Sequence, residues 1–199
     1  MKSNVCKLEQ GSHDLEMIFK ESEKVASYNG LSQKQAMQLR LLCEEVDGLL
    51  PQIIDDFEGS LWIDFEDGLC KVNASIRVAE MTVNKKEAFI ELAKDKKNAR
   101  AAGLLGKIRS GIEDFFLADE TMIGYPIASG QFHLATGYSD GVDYAYIWSL
   151  EQYRTSIDPQ EQEEEWDELE KSLIASVADD VTVGVKGKQV DIVITKRFS

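Results

Sequence analysis

The sequence predicts an α+β fold, a two-layer sandwich with helices packed on one face of a mixed, mostly antiparallel sheet. Three observations carry that expectation. A long amphipathic helical pattern runs from Ser32 to Ile54. Directly after it, Leu61 to Phe65 and Leu69 to Val78 alternate apolar and polar residues about an Asp67-Gly68 turn. The last residues repeat the device, with Val181 to Val185 and Val190 to Ile194 joined by Lys186-Gly187-Lys188. A 3.6-residue period marks a helix with one buried stripe, and a two-residue period marks a strand with one buried face. Hairpins beside segregated helices give α+β architecture rather than a parallel sheet. At 199 residues, one domain over 1–199 is expected, with 118–177 as an insertion within it.

Residues 1–11 show little periodicity and read as a frayed arm. From Asp14 to Tyr28, Leu15, Ile18, Phe19 and Val25 support a first helix. Ser12 is its expected N-cap, and Asn29-Gly30 ends it. Ser32 then caps the long helix. Leu39, Leu42, Cys43, Val46, Leu49, Leu50 and Ile53 form its apolar stripe, while Arg40, Glu44 and Asp47 project from the other side. Glu45 falls at the edge of the stripe, where a carboxylate is partly desolvated. Pro51 removes a backbone donor and tightens the last turn, and Gly59 closes the element.

In the strand pair that follows, Cys70, Val72, Ala74, Ile76 and Val78 share one face, and Lys71, Asn73, Ser75 and Arg77 the other. Asp-Gly between two alternating runs is a strong hairpin signal. A helical pattern over Lys85 to Leu92 gives way to the basic run KDKKNAR, Lys94 to Arg100. It resumes after Gly103, with Leu105, Ile108, Ile112, Phe115 and Phe116 on one face. Asp119 to Gly141 is glycine-rich. Gln131 to Thr136 and Asp143 to Trp148 suggest another hairpin, with Tyr144, Tyr146 and Trp148 on one side. Ser149 and Gln152 form a capping box for a short helix reaching Ile157. Asp158-Pro159 opens a helix with Trp166, Leu169, Leu173 and Val177 as its stripe.

Composition narrows the function classes. Hydrophobic residues make up 43% and charged residues 29%, as in ordinary globular domains. The formal net charge of −14 argues against a nucleic-acid partner, which needs a basic footprint. No apolar run reaches membrane-spanning length, and the first residues lack the apolar core of a signal peptide. The cysteines, Cys6, Cys43 and Cys70, have neither metal-ligand nor redox spacing. A cytoplasmic protein with no membrane contact is the expectation. His13 and His133 are isolated, and no G-x-S-x-G is present, so neither a zinc site nor a serine nucleophile is indicated.

The residues that carry most chemical interest are Glu44 and Glu45 in LRLLCEEVDGLL (Leu39 to Leu50). With the ending VGVKGKQVDIVITKRF and the stretch AAGLLGKIRSGIEDFF (Ala101 to Phe116), they give the chain a resemblance to the GHKL ATPase superfamily. The nearest look-alikes are the ATP-binding domains of anti-sigma-factor kinases and histidine kinases. The resemblance covers 12–117 and 178–198. It implies that Glu44 or Glu45 is the catalytic carboxylate, acting as base or orienting water. It implies that Gly103 and Gly106 open a helix whose N–H groups face phosphates, with Lys97, Arg100 and Lys107 as basic neighbours. Glu80 takes the place of the carboxylate that reads adenine. ATP or ADP, with Mg²⁺, is the implied ligand.

Two departures qualify that reading. The family's metal-holding asparagine follows the carboxylate by four residues, but Gly48 and Leu49 stand in those places. Neither offers the oxygen donor that a hard cation requires, so no metal ligand is assigned. After Val78, the family's D-x-G-x-G turn is replaced by Ala79-Glu80-Met81-Thr82. The expectation is therefore a GHKL-like regulatory protein with a degenerate ATP site, little or no catalysis and a protein partner; a homodimer is compatible with it. The alternatives are an active ATPase or serine kinase of anti-sigma-factor type, and a purely protein-interaction module.

Overall fold

The computed structural model of the chain describes residues 1–9, 12–13, 15–54, 57–78, 108, 112, 138–139, 142–143, 146–157 and 172–199. The first surprise lies at the start. Residues expected to fray instead form β1 (Cys6–Glu9), antiparallel to β2 (Ser12–His13) and to β3 (Phe57–Glu66). Lys2 bridges to Asp64, and the Ser3 N–H donates to the Ile63 carbonyl at 2.8 Å. Cys6 and Leu8 point inward and are fully buried. Their alternation with Lys7 and Glu9 is a period-two signal only four residues long, which is why the sequence pattern alone does not register as a strand.

Helix α1 (Leu15–Tyr28) starts after β2, so Ser12 lies in a strand rather than at the helix cap. It ends as expected at Asn29-Gly30. Gly30 has φ +67, its N–H donates to Ser27, and the Leu31 N–H reaches back to Ala26 at 3.0 Å. That pair of bonds is a Schellman motif. Helix α2 (Gln33–Ile53) carries the expected N-cap, because Ser32 and Gln35 exchange hydrogen bonds as a capping box. Two orphan donors are thereby satisfied at the helix start. The helix continues through Pro51, and the Ile54 N–H closes it on the Leu50 carbonyl at 2.9 Å.

Gly59 does not close α2. It lies within β3, opposite both Leu8 and Ile76. A Cβ there would meet the Ser75 carbonyl oxygen at 2.4 Å and the Ile76 Cα at 3.0 Å, so close backbone approach excludes a side chain. Strand β4 (Leu69–Val78) has the bounds expected from its alternation. Both turn residues before it have positive φ, Asp67 at 48° and Gly68 at 79°, the signature of a type I′ hairpin.

Within 118–177, the described residues of Asp143 to Trp148 divide between two sheets. β5 (Tyr138–Ser139) pairs with β6 (Val142–Asp143) in a small ladder of its own, whereas β7 (Tyr146–Ser149) joins the main sheet beside β8 (Asp180–Lys186). The companion strand expected at 131–136 lies outside the described residues. Helix α3 (Leu150–Ser156) follows β7, and the Ser149 hydroxyl accepts from the Gln152 N–H at 3.1 Å. The last helix differs from expectation. The part of the expected helix before Ser172, with Trp166 and Leu169, lies outside the described residues; Ser172 is extended (φ −71°, ψ 122°) and caps α4 (Leu173–Val177). Leu173 is half-exposed, and Ile174 and Ala175 face the core instead.

β8 and β9 (Gln189–Arg197) form the terminal hairpin. Gly187, at φ +56, supplies the positive φ of its two-residue connection. The main sheet has the order β2-β1-β3-β4-β9-β8-β7. Every pairing among the described strands is antiparallel, so the sheet is not mixed over these residues. Hairpin connections account for two of these pairings, β3–β4 and β8–β9, because a two-residue link can join only antiparallel neighbours.

The architecture is α+β with all four described helices on one sheet face. α1 and α2 pack against each other, α1 on β3 and α2 on β4, while α3 covers β7 and β8 and α4 meets α2. One core unites the inward rows of the sheet with Ile18 and Val25 of α1 and Leu39, Leu42, Cys43, Val46 and Leu50 of α2. Ile108 and Ile112, both helical and buried, join that core. Each such aliphatic side chain contributes roughly 1.5–3 kcal/mol by leaving water. Among the described residues, no helix is long and apolar enough to cross a membrane.

Candidate functional site

The candidate site is built on the middle of α2. Its core-facing residues recur at three- and four-residue steps and set the roll of the helix. Glu44 consequently faces solvent and Glu45 is half-buried at the margin, as the periodicity implies. Burial, and next the charge of Glu44, push the Glu45 carboxyl above the ordinary carboxylate range. A carboxylate raised in this way is a better proton acceptor near neutrality than an exposed one. The pair therefore has one solvated and one partly desolvated acid.

Asp47 departs from expectation. It does not project to solvent but is 6% exposed. The reason lies in the four-residue row Leu39, Cys43, Asp47, whose first two members are fully buried; residues four apart stack on one face of a helix. The row was legible in the sequence, but the acidic side chain argued against placing it inside. Asp47 is the buried acid of this helix and the residue that sequence reasoning misplaced.

Arg40 is engaged with α1. Its guanidinium sits 4.1 Å from the centroid of the Phe19 ring and 3.6 Å from the Glu23 carboxylate, tying α2 to α1. Lys107, one of the basic neighbours that the resemblance implies for the phosphates, lies outside the described residues. So do the remaining nucleotide-binding candidates, Glu80, Lys97, Arg100, Gly103 and Gly106.

Gly48 bears on the metal question. It is exposed in α2, and a Cβ added there would have nothing within 4 Å. Space for a ligating side chain exists one turn beyond Glu44, but glycine supplies no oxygen to fill it. Among the described residues no group of three or more His, Cys, Asp or Glu side chains is placed to hold an ion.

The cysteines are free thiols, all buried. Burial pushes the Cys70 thiol up to about 12 and raises Cys43 further still. Thiolate is the reactive form, so these are core residues rather than nucleophiles. Compared with family models, curated proteins and solved structures, the chain matches none of them.

Proposed function

We propose that the protein is a regulatory protein built on a GHKL-like nucleotide-binding fold, with a degenerate ATP site and little or no catalysis. The observation that carries this reading is the state of α2. It keeps a half-buried acid, Glu45, beside an exposed one, Glu44, but offers Gly48 where a cation ligand is needed. A carboxylate without its metal can still face a ligand, but it lacks the cation that neutralises a transferring phosphoryl group. Binding and conformational signalling to a protein partner survive such a loss; phosphoryl transfer does not. Nucleotide binding here is accordingly independent of Mg²⁺.

The test is the unfolding midpoint with ADP or ATP, in Mg²⁺ and in EDTA. A ligand at about 100 times its dissociation constant stabilises the native state by roughly 2.7 kcal/mol. A shift of equal size in both buffers supports the reading. A shift only with Mg²⁺ contradicts the degenerate site, and no shift with any nucleotide leaves a purely protein-interaction module. One observation favours the active alternative. The raised Glu45 carboxyl is the property expected of a general base, and an ATPase or serine kinase would use it.

A further inference from the structure

On the sheet face turned away from the helices, the β-register brings cationic side chains of several strands together. Lys7, Glu58, Ser60, Ser75 and Arg77 alternate with the buried Cys6, Phe57, Leu61, Ala74 and Ile76, so their side chains leave the sheet on its other side. With Lys186, Lys188 and Gln189, they line a groove of about 580 Å³. That is the size of small-ligand sites, which run from roughly 300 to 1,000 Å³. Four of the lining side chains are cationic and one, Glu58, is acidic, in a chain of net charge −14.

The register explains the convergence. Arg77 lies directly opposite Gln189, and Gln189 directly opposite Lys186. Strands are roughly 4.8 Å apart, so the two cations leave the backbone roughly 10 Å apart on one row, within reach of a common anion. Lys188 extends from the adjoining turn. Lys7 is neutralised by Glu9, but among the described residues neither Arg77 nor Lys186 forms an ion pair. Gln189 is held to one side by hydrogen bonds from its amide to Asp191, at 3.0 and 2.9 Å.

We propose that this groove binds a small ligand carrying a phosphate-type polyanion, with Arg77 and Lys186 as its principal contacts and Lys188 as a third. The guanidinium presents a fork suited to two phosphate oxygens. A compact anion is favoured over an acidic protein segment for a physical reason. Screening confines interactions to about 8 Å at physiological salt, so a small ligand senses mainly the local charges, four cations against Glu58, which lies directly opposite Arg77. A long acidic segment also meets the negative field of the whole chain. The site is separate from the acids of α2, on the other side of the sheet, and does not depend on their reading.

Calorimetric titration of the full chain with inorganic pyrophosphate tests the proposal, with ADP as a second arm and an Asp/Glu-rich peptide as a third. The expected result is pyrophosphate binding that weakens about tenfold in Arg77→Gln and again in Lys186→Gln. Lys34→Gln, an exposed charge on α2, leaves it unchanged. The substituted residues are exposed, so unfolding midpoints stay at the parent value and report intact folding. ADP binding lost with the same substitutions places the phosphates on a nucleotide; pyrophosphate binding alone identifies a free anion. The proposal is overturned if pyrophosphate does not bind at millimolar concentration. It is equally overturned if the double variant binds like the parent, or if the acidic peptide binds more tightly at the same salt.

Discussion

The Glu21 carboxylate of α1 accepts hydrogen bonds from both the backbone N–H and the side-chain amide of Asn4, at 3.0 and 3.1 Å. Lys24 donates to the same carboxylate from the next turn of the helix. This side chain, 6% exposed, fastens the segment leading into β1 onto the helical layer. It is covered by its own partners rather than sunk deep in the core. The Lys24 hydrogen bond, ahead of those from Asn4, holds the Glu21 carboxyl below its ordinary value, although partial burial opposes the shift.

Glu21→Ala is therefore expected to cost about 1.5–3 kcal/mol at pH 7, the range for hydrogen bonds to a charged group. The folded-state carboxyl titrates lower than the unfolded one. Its contribution is thus complete above the ordinary pH range of a glutamate, near 4.5, and is lost as pH falls through the lower folded value. Denaturant titrations at pH 7 and pH 3 check this: the gap between parent and variant should narrow at the lower pH.

Two glycines should respond to alanine in opposite ways. Gly59→Ala drives a Cβ into the backbone of β4, and overpacking of this kind costs about 1–3 kcal/mol or more. Gly48→Ala meets open space in a helix and should stabilise by roughly 0.5–1 kcal/mol through helix propensity. Chemical denaturation midpoints with unchanged slopes would bear out both.

Burial, and then the Glu44 charge, raise the Glu45 carboxyl, so the sign is the reverse of that at Glu21. The folded state holds the proton more tightly, and stability is lost as pH rises through the folded value. Glu45→Gln should raise the unfolding temperature at pH 7 and leave it nearly unchanged at pH 3.5. A lower midpoint at pH 7 would mean that the ionised form has a favourable partner.

Cys6, Cys43 and Cys70 are buried thiols. An aromatic disulfide reagent at pH 8 should modify none of them in the native protein within minutes, and all three once denaturant is added. Fast labelling of any one under native conditions would show that the helix–sheet layer around it opens.

The parts legible in the sequence were those in which a local signal and the fold agree. The Ser32 cap, the Asp67-Gly68 hairpin and the alternation through Val78 each need only neighbouring residues, and each appears as read. β1 was missed because four residues carry too little periodicity. What holds it is non-local: the ladder to β3 and the bonds from Asn4 to Glu21. Leu173 was assigned to a stripe that a new cap at Ser172 rotates away from the core. In the candidate site, the solvated Glu44 and half-buried Glu45 followed from helical spacing. Asp47 did not, because its position in the buried row and its charge pointed in opposite directions. The groove at Arg77 and Lys186 was hidden for another reason: its cations lie far apart in sequence and meet only through the register of β4, β9 and β8.

The claim proposed above, that α2 carries no phosphoryl-transfer chemistry, is tested by steady-state ATP turnover in Mg²⁺. The parent protein should release phosphate at the same background rate as the Glu44→Gln/Glu45→Gln double variant. Turnover in the parent that disappears in the double variant, with folding intact, would contradict the claim and make this helix catalytic.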